Sequence, residues 1–130
     1  DLNRLRDSFA KIPFETFKID IKGFDYFSFQ KKPTILYLKY HSNVLLDYYE
    51  KIKKLLDELE VSYDKKPFKE HITVFRIKDV KNFDLFKKRI RELNERFDNL
   101  ASQVAGVSFY QSRLTPSGPI YTKLFSLGGF

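Results

Sequence analysis

The stretch Lys69-Glu70-His71-Ile72-Thr73-Val74-Phe75-Arg76-Ile77-Lys78 alternates polar and apolar residues for most of its length. That period belongs to a half-buried β-strand. Residues two apart on a strand share a face, so His71 and Thr73 point one way while Ile72 and Val74 point the other, into a core. An imidazole can give or take a proton near neutral pH, and a threonine hydroxyl can donate to a phosphate oxygen. The Arg76 fork suits phosphate as well. Strict alternation turns Arg76 away from His71, so it must reach the same anion around the strand end or through a bulge. Phe75 falls on the His71 face by the same count and can stack on a base there, although core packing is the commoner role of a phenylalanine. Taken alone, His-x-Thr is common by chance and reads more readily as a surface histidine on an ordinary amphipathic strand.

Working outward, apolar residues at Leu2, Leu5, Phe9 and Ile12 predict a helix over 1–11, stopped by Pro13. Phe14, Phe17, Ile19 and Ile21 predict a strand ended by Gly23. The aromatic stretch Phe24 to Phe29 reads as a strand edge or a loop, Gln30-Lys31-Lys32-Pro33 as a turn, and Thr34 to Tyr40 as a strong strand. Asn43 is a candidate cap for a helix over 44–59. Ser62 to Pro67 is a polar loop leading into the His71 strand. Phe83, Phe86, Ile90, Leu93 and Phe97 mark another helix, opened by Asn82 or Asp84. Its basic run Lys87, Lys88, Arg89 and Arg91 could touch RNA, but reads more readily as a charged outer helix face. Two strands, over 103–114 and 119–127, flank the turn Thr115-Pro116-Ser117-Gly118-Pro119, where Gly118 supplies a positive φ. Long helices among hairpin-like strands predict an α+β fold with largely antiparallel sheet.

With 130 residues the length predicts one domain, large enough for a real core. The chain has 14 Phe and 8 Tyr and no Cys, Met or Trp, which excludes a disulfide framework and a thiolate metal site. That composition fits a cytoplasmic protein. A formal charge of +7 favours a polyanion such as RNA, and equally fits a lysine-rich surface with no such partner. No apolar run approaches a membrane span, and no clustered Asp, Glu, His or Cys suggests a metal site.

Two segments resemble one family. Phe68-Lys69-Glu70-His71-Ile72-Thr73-Val74-Phe75-Arg76 is similar to F-x-P-H-[IL]-T-[LV]-x-R, and Ser112-Arg113-Leu114-Thr115-Pro116-Ser117-Gly118-Pro119-Ile120-Tyr121 to S-x-L-x-P-x-G-P-x-Y. These are motifs of the two-histidine phosphoesterases, most closely the RNA 2′,3′-cyclic phosphodiesterase (2′-5′ RNA ligase-like) branch, and the resemblance runs along essentially the whole chain. Two departures stand out. Glu70 replaces the usual proline, and only one His-x-Thr is present where the family carries two. The other histidine, His41, lacks a threonine two residues on.

The resemblance implies a two-lobed fold over 1–130, with pseudo-two-fold antiparallel sheets, outer helices and a central cleft lined by one His-x-Thr from each lobe. It implies opening of an RNA 2′,3′-cyclic phosphate to a 2′-phosphate, possible in reverse as 2′-5′ ligation, with no metal and no cofactor. His71 would be one acid or base, Thr73 its phosphate-binding partner, and Arg76 and Phe75 contacts to phosphate or base. Tyr121 would be structural. The expected molecule is a cytoplasmic monomer whose first His-x-Thr lies upstream of Asp1, in a strand beside 34–40 or 14–22. The alternative is a catalytically inactive relative that binds RNA through the same basic cleft.

Overall fold

The computed structural model describes residues 2–129, so Asp1, the expected first residue of the opening helix, lies outside the described residues. The order of elements is α1 (Leu2–Ala10), β1 (Phe17–Phe29), β2 (Lys32–His41), α2 (Asn43–Glu58), β3 (His71–Arg76), α3 (Phe83–Glu95), β4 (Leu100–Val104), β5 (Gly106–Thr115) and β6 (Gly118–Gly128). The strands form a four-stranded sheet in the order β3-β2-β1-β4 and a two-stranded sheet of β5 and β6. The β1–β2, β2–β3 and β5–β6 pairs are antiparallel, and with three helices the fold is α+β.

The chain divides into two compact units, one of residues 1–17, 44–64 and 103–130 and the other of residues 18–43 and 65–102. In the first unit the core is aromatic. Phe9 of α1 is 2% exposed and stacks on Phe109 and Phe125 of the β5–β6 pair, at 4.7 and 5.7 Å between ring centres. Tyr48 of α2 stacks on Phe14 at 5.6 Å, and its hydroxyl donates to the Pro13 carbonyl. Stacked and tilted rings of this kind contribute beyond the apolar area they bury.

In the second unit α3 packs one face of the hairpin formed by β1 and β2. Tyr26 meets Phe83 and Phe86 edge-on, and Phe24 meets Phe97 in the same way. Asn82 caps α3 by accepting from the Leu85 amide, one of the two caps expected from the sequence.

Several boundaries differ from the sequence expectation, each for a local reason. β1 does not end at Gly23 but runs on through Phe29. Gly23, at φ +136°, permits a register shift against β2 between Ile21 and Gly23, so the chain bulges and continues. The turn is shorter than expected, because only Gln30 and Lys31 leave the ladder, with φ of 51° and 64°. Two consecutive left-handed residues make the tight hairpin turn whose twist matches its strands. Pro33 is inside β2, next to a second register shift, where the missing amide is tolerated. Asn43 opens α2 as its first helical residue, and Ser42 takes the position before it. The strand expected over 103–114 breaks at Ala105 into β4 and β5, and the Ala105 carbonyl accepts from the Gly129 amide instead. Gly118 has the positive φ expected of it, at +121°.

Candidate functional site

β3 pairs with β2 in a register that decides what faces His71. His71 lies opposite Lys39, Ile72 opposite Leu38 and Thr73 opposite Tyr37. The register then shifts, so that Phe75 lies opposite Leu36 and Arg76 opposite Ile35. Directly paired residues in an antiparallel ladder share a face. On β2, Ile35, Tyr37 and Lys39 form one face, so His71, Thr73 and Arg76 all belong to it. Val74 is the extra residue of a β-bulge, and the bulge resets the alternation. Arg76 therefore joins the histidine face through a bulge, one of the two routes alternation left open. Phe75, expected beside His71, is carried to the opposite face with Leu36, and its ring is 65% exposed there.

The histidine face is framed by residues that sequence reading passed over. Phe27, opposite Ile35 in β1, stacks on Tyr37 at 4.3 Å between ring centres. The His71 imidazole stands edge-on to both rings, at 5.1 and 5.7 Å and 76° to each plane. Tyr37 lies opposite Asp25. Burial raises its phenol pKa above the usual range, and the Asp25 charge and its hydrogen bond raise it further. The signal that would have found these residues is positional, since Tyr37 is across from Thr73 and Phe27 is one strand further.

The protonation of His71 follows from one contact. Its Nδ1 lies 2.8 Å from the Lys69 carbonyl oxygen, which can only accept, so Nδ1 carries a proton. Nε2 is then the ring nitrogen left to accept a proton or a hydrogen bond. The ring is exposed, as is Thr73, so both reach solvent.

Glu70, the carboxylate next to His71 in sequence, turns elsewhere. Its Oε2 accepts from the Ser42 amide at 2.7 Å, and its Oε1 lies 3.3 Å from His41 Nδ1. It thereby ties the start of β3 to the residue that follows β2. The second sequence motif forms the tip of the β5–β6 hairpin, where Ser112 lies opposite Tyr121 and Arg113 opposite Ile120. The Thr115 hydroxyl donates to the Gly118 carbonyl and closes that turn. Among the described residues no group of three His, Cys, Asp or Glu is placed to hold a metal ion, and no helix is long and apolar enough to cross a membrane.

Comparison with known proteins joins these features to one family. The family of LigT-like phosphoesterases matches residues 40–121. An RNA 2′,3′-cyclic phosphodiesterase of Thermotoga maritima is 32% identical over 113 residues, covering 86% of this chain and 58% of that protein. A protein of the same name from Archaeoglobus fulgidus is 30% identical over 128 residues, covering 95% and 68%. Another, from Aeropyrum pernix, is 28% identical over 120 residues, covering 91% and 68%. The chain thus spans between 58 and 68% of the length of these relatives. The crystal structure of TT0787 of Thermus thermophilus shares the fold, with a TM-score of 0.68 and 24% identity over 97% of this chain and 67% of that one. The matched stretch takes in more than half of the 130 residues, His71, Thr73, Arg76 and the hairpin tip among them, and the chain belongs to the LigT-like phosphoesterase family.

Proposed function

We propose that this protein is an RNA 2′,3′-cyclic phosphodiesterase. Water attacks the phosphorus, the bond to the 3′ oxygen breaks, and a 2′-phosphate and a free 3′ hydroxyl remain. One group must take the proton of the water and another must give a proton to the departing 3′ oxygen. His71 fills one of these posts through Nε2, and a second imidazole across the phosphate fills the other. Thr73 donates to a non-bridging oxygen, and Arg76 neutralises charge that builds on the phosphate. The two proton transfers assist the displacement at phosphorus, and no metal or cofactor is assigned to it. With the 5′ hydroxyl of another RNA attacking the phosphorus in place of water, the same displacement breaks the bond to the 3′ oxygen and joins the two ends through a 2′-5′ bond.

The observation that carries this reading is the β3 bulge, which gathers an imidazole, a hydroxyl and a guanidinium on one sheet face in a member of this family. Support also comes from the contact that occupies Nδ1 and leaves Nε2 as the open ring nitrogen. The 130 residues contain one His-x-Thr and the reaction needs two proton carriers. The test therefore measures opening of a cyclic-phosphate RNA end by this chain and by the natural polypeptide that contains it. In the natural polypeptide His71→Ala should lower the rate by about a hundred- to ten-thousandfold. Activity unaffected by that change would overturn the mechanism. RNA binding with no turnover in either version would identify an inactive, RNA-binding relative. The working molecule is taken to be a cytoplasmic monomer, the simplest state for an enzyme that acts on RNA ends.

A further inference from the structure

β3 ends at Arg76, opposite Ile35, and the β1–β2 hairpin continues beyond it to Phe29 and Lys32, where the end is basic. Lys32 lies opposite Phe29, and alternation from Phe27 puts Phe29 and Lys32 on the same face as Tyr37 and His71. Just beyond, Lys31 in the hairpin turn, Lys32 and Lys78 after β3 line a small cavity of about 140 Å³ at the sheet end, together with Pro33, Asp79, Val80 and Phe83. Phe83 packs on Tyr26, on the face opposite to that of Tyr37 and His71, so the cavity is on the α3 side of this end and only Lys32 of its three lysines is placed on the histidine face by the ladder. Among the described residues no ion pair involves Lys31, Lys32, Lys78 or Arg76. Phe29 is 68% exposed and has no ring partner among them. β2 runs seven residues from Lys39, opposite His71, to Lys32, which is about 20 Å of strand.

We propose that this end of the sheet binds the RNA strand that leads up to the reacting end, with Arg76, Lys32, Lys31 and Lys78 along its phosphates and a base stacked on Phe29. The inference rests on the phosphodiesterase reading, since it takes the cyclic end to be at His71. Four cations against one carboxylate fit a repeating anion. An exposed ring among cations on a strand face is how single strands are held without sequence preference. The residues are polar and exposed, so the site depends on charge and stacking rather than on a closed pocket.

The test measures binding of the protein to three probes, a nucleoside 2′,3′-cyclic phosphate, a hexanucleotide with the same end, and a hexanucleotide ending in a plain 2′,3′-diol. The hexanucleotide should bind more tightly than the nucleoside, and the gain should shrink as salt rises. The combined variant Lys31→Ala, Lys32→Ala, Lys78→Ala should weaken hexanucleotide binding by about tenfold or more at low salt and flatten the salt slope by about 2. Binding of the nucleoside should not change. Phe29→Ala should cost about tenfold with the slope unchanged. Equal affinity for nucleoside and hexanucleotide, no hexanucleotide binding, or a triple variant that binds like the parent overturns the inference. Loss of the preference for the cyclic end over the diol, with the length gain intact, would instead count against the phosphodiesterase reading.

Discussion

Gly23 and Asn94 offer the clearest energetic test of how β1 is held. The Asn94 side chain accepts from the Phe24 amide at 2.7 Å and donates to the Phe24 carbonyl at 2.9 Å, clamping the bulge against α3. A Cβ added at Gly23 would lie 2.7 Å from Asn94 Oδ1, so Gly23→Ala must push the amide off. Each lost hydrogen bond is worth about 1 kcal/mol net, and both are exposed, so no buried orphan is left. A side chain at φ +136° adds about 1–3 kcal/mol of backbone strain. Gly23→Ala should therefore cost about 3–5 kcal/mol and Asn94→Ala about 2 kcal/mol. The double variant should cost no more than Gly23→Ala alone, because the clamp can be lost only once. That is a coupling of about 2 kcal/mol, well above the half kilocalorie or so within which independent sites add. Urea unfolding of the four proteins, with m-values constant across the set, measures it. Additive costs would show that the added methyl group is accommodated without moving Asn94, and the account of the bulge would be wrong.

Three further outcomes are expected. Phe9→Ala, which removes a ring 2% exposed between Phe109 and Phe125, should lower the unfolding free energy by about 3–5 kcal/mol in the same titration. Burial comes first among the causes that raise the Tyr37 pKa, and the Asp25 charge and hydrogen bond follow. The folded protein thus keeps this proton more tightly than the unfolded chain. The associated stability is complete below the ordinary phenol pKa of about 10 and drains away as pH climbs above it. Asp25→Asn should lower the Tyr37 transition without returning it to the ordinary value, as the difference in phenolate absorbance from a Tyr37→Phe control reports. Glu70→Ala removes the acceptor of the Ser42 amide and should destabilise by about 1–2 kcal/mol, read by chemical denaturation. Glu70→Pro, the residue usual in the family, should lose the same contact.

Much of the fold is legible in the chain because its elements are strongly patterned. The helix of Phe83, Phe86 and Ile90 and the strand that carries His71 each show their own period. What alternation hides is an extra residue. Val74 and Phe75 are both apolar, so the count cannot tell which of them leaves the ladder. That one residue decides that Arg76 faces His71 and Phe75 does not. Tyr37 and Phe27 are invisible as neighbours of His71 until the register of three strands is known. The break at Ala105 is hidden for a related reason, as β4 and β5 are continuous in composition and differ only in the sheet they join. Ser42 and Asn43 are both good helix openers, and the Glu70 carboxylate on the Ser42 amide goes with the earlier one.

The division into two units has a consequence for how the protein is made. The chain passes from one unit to the other at 17/18, 43/44, 64/65 and 102/103. Neither unit is a single contiguous piece of polypeptide, so neither can be excised with one cut or synthesised to completion before the other begins. The unit of α1 and the β5–β6 hairpin joins residues far apart in the sequence, and its Phe9–Phe109 stack closes a loop of about a hundred residues. Closing such a loop costs entropy before any contact repays it. Emerging from the ribosome, α1 must therefore wait, its Phe9 face uncovered, until β5 and β6 are released, and folding should be slow for a chain of this size.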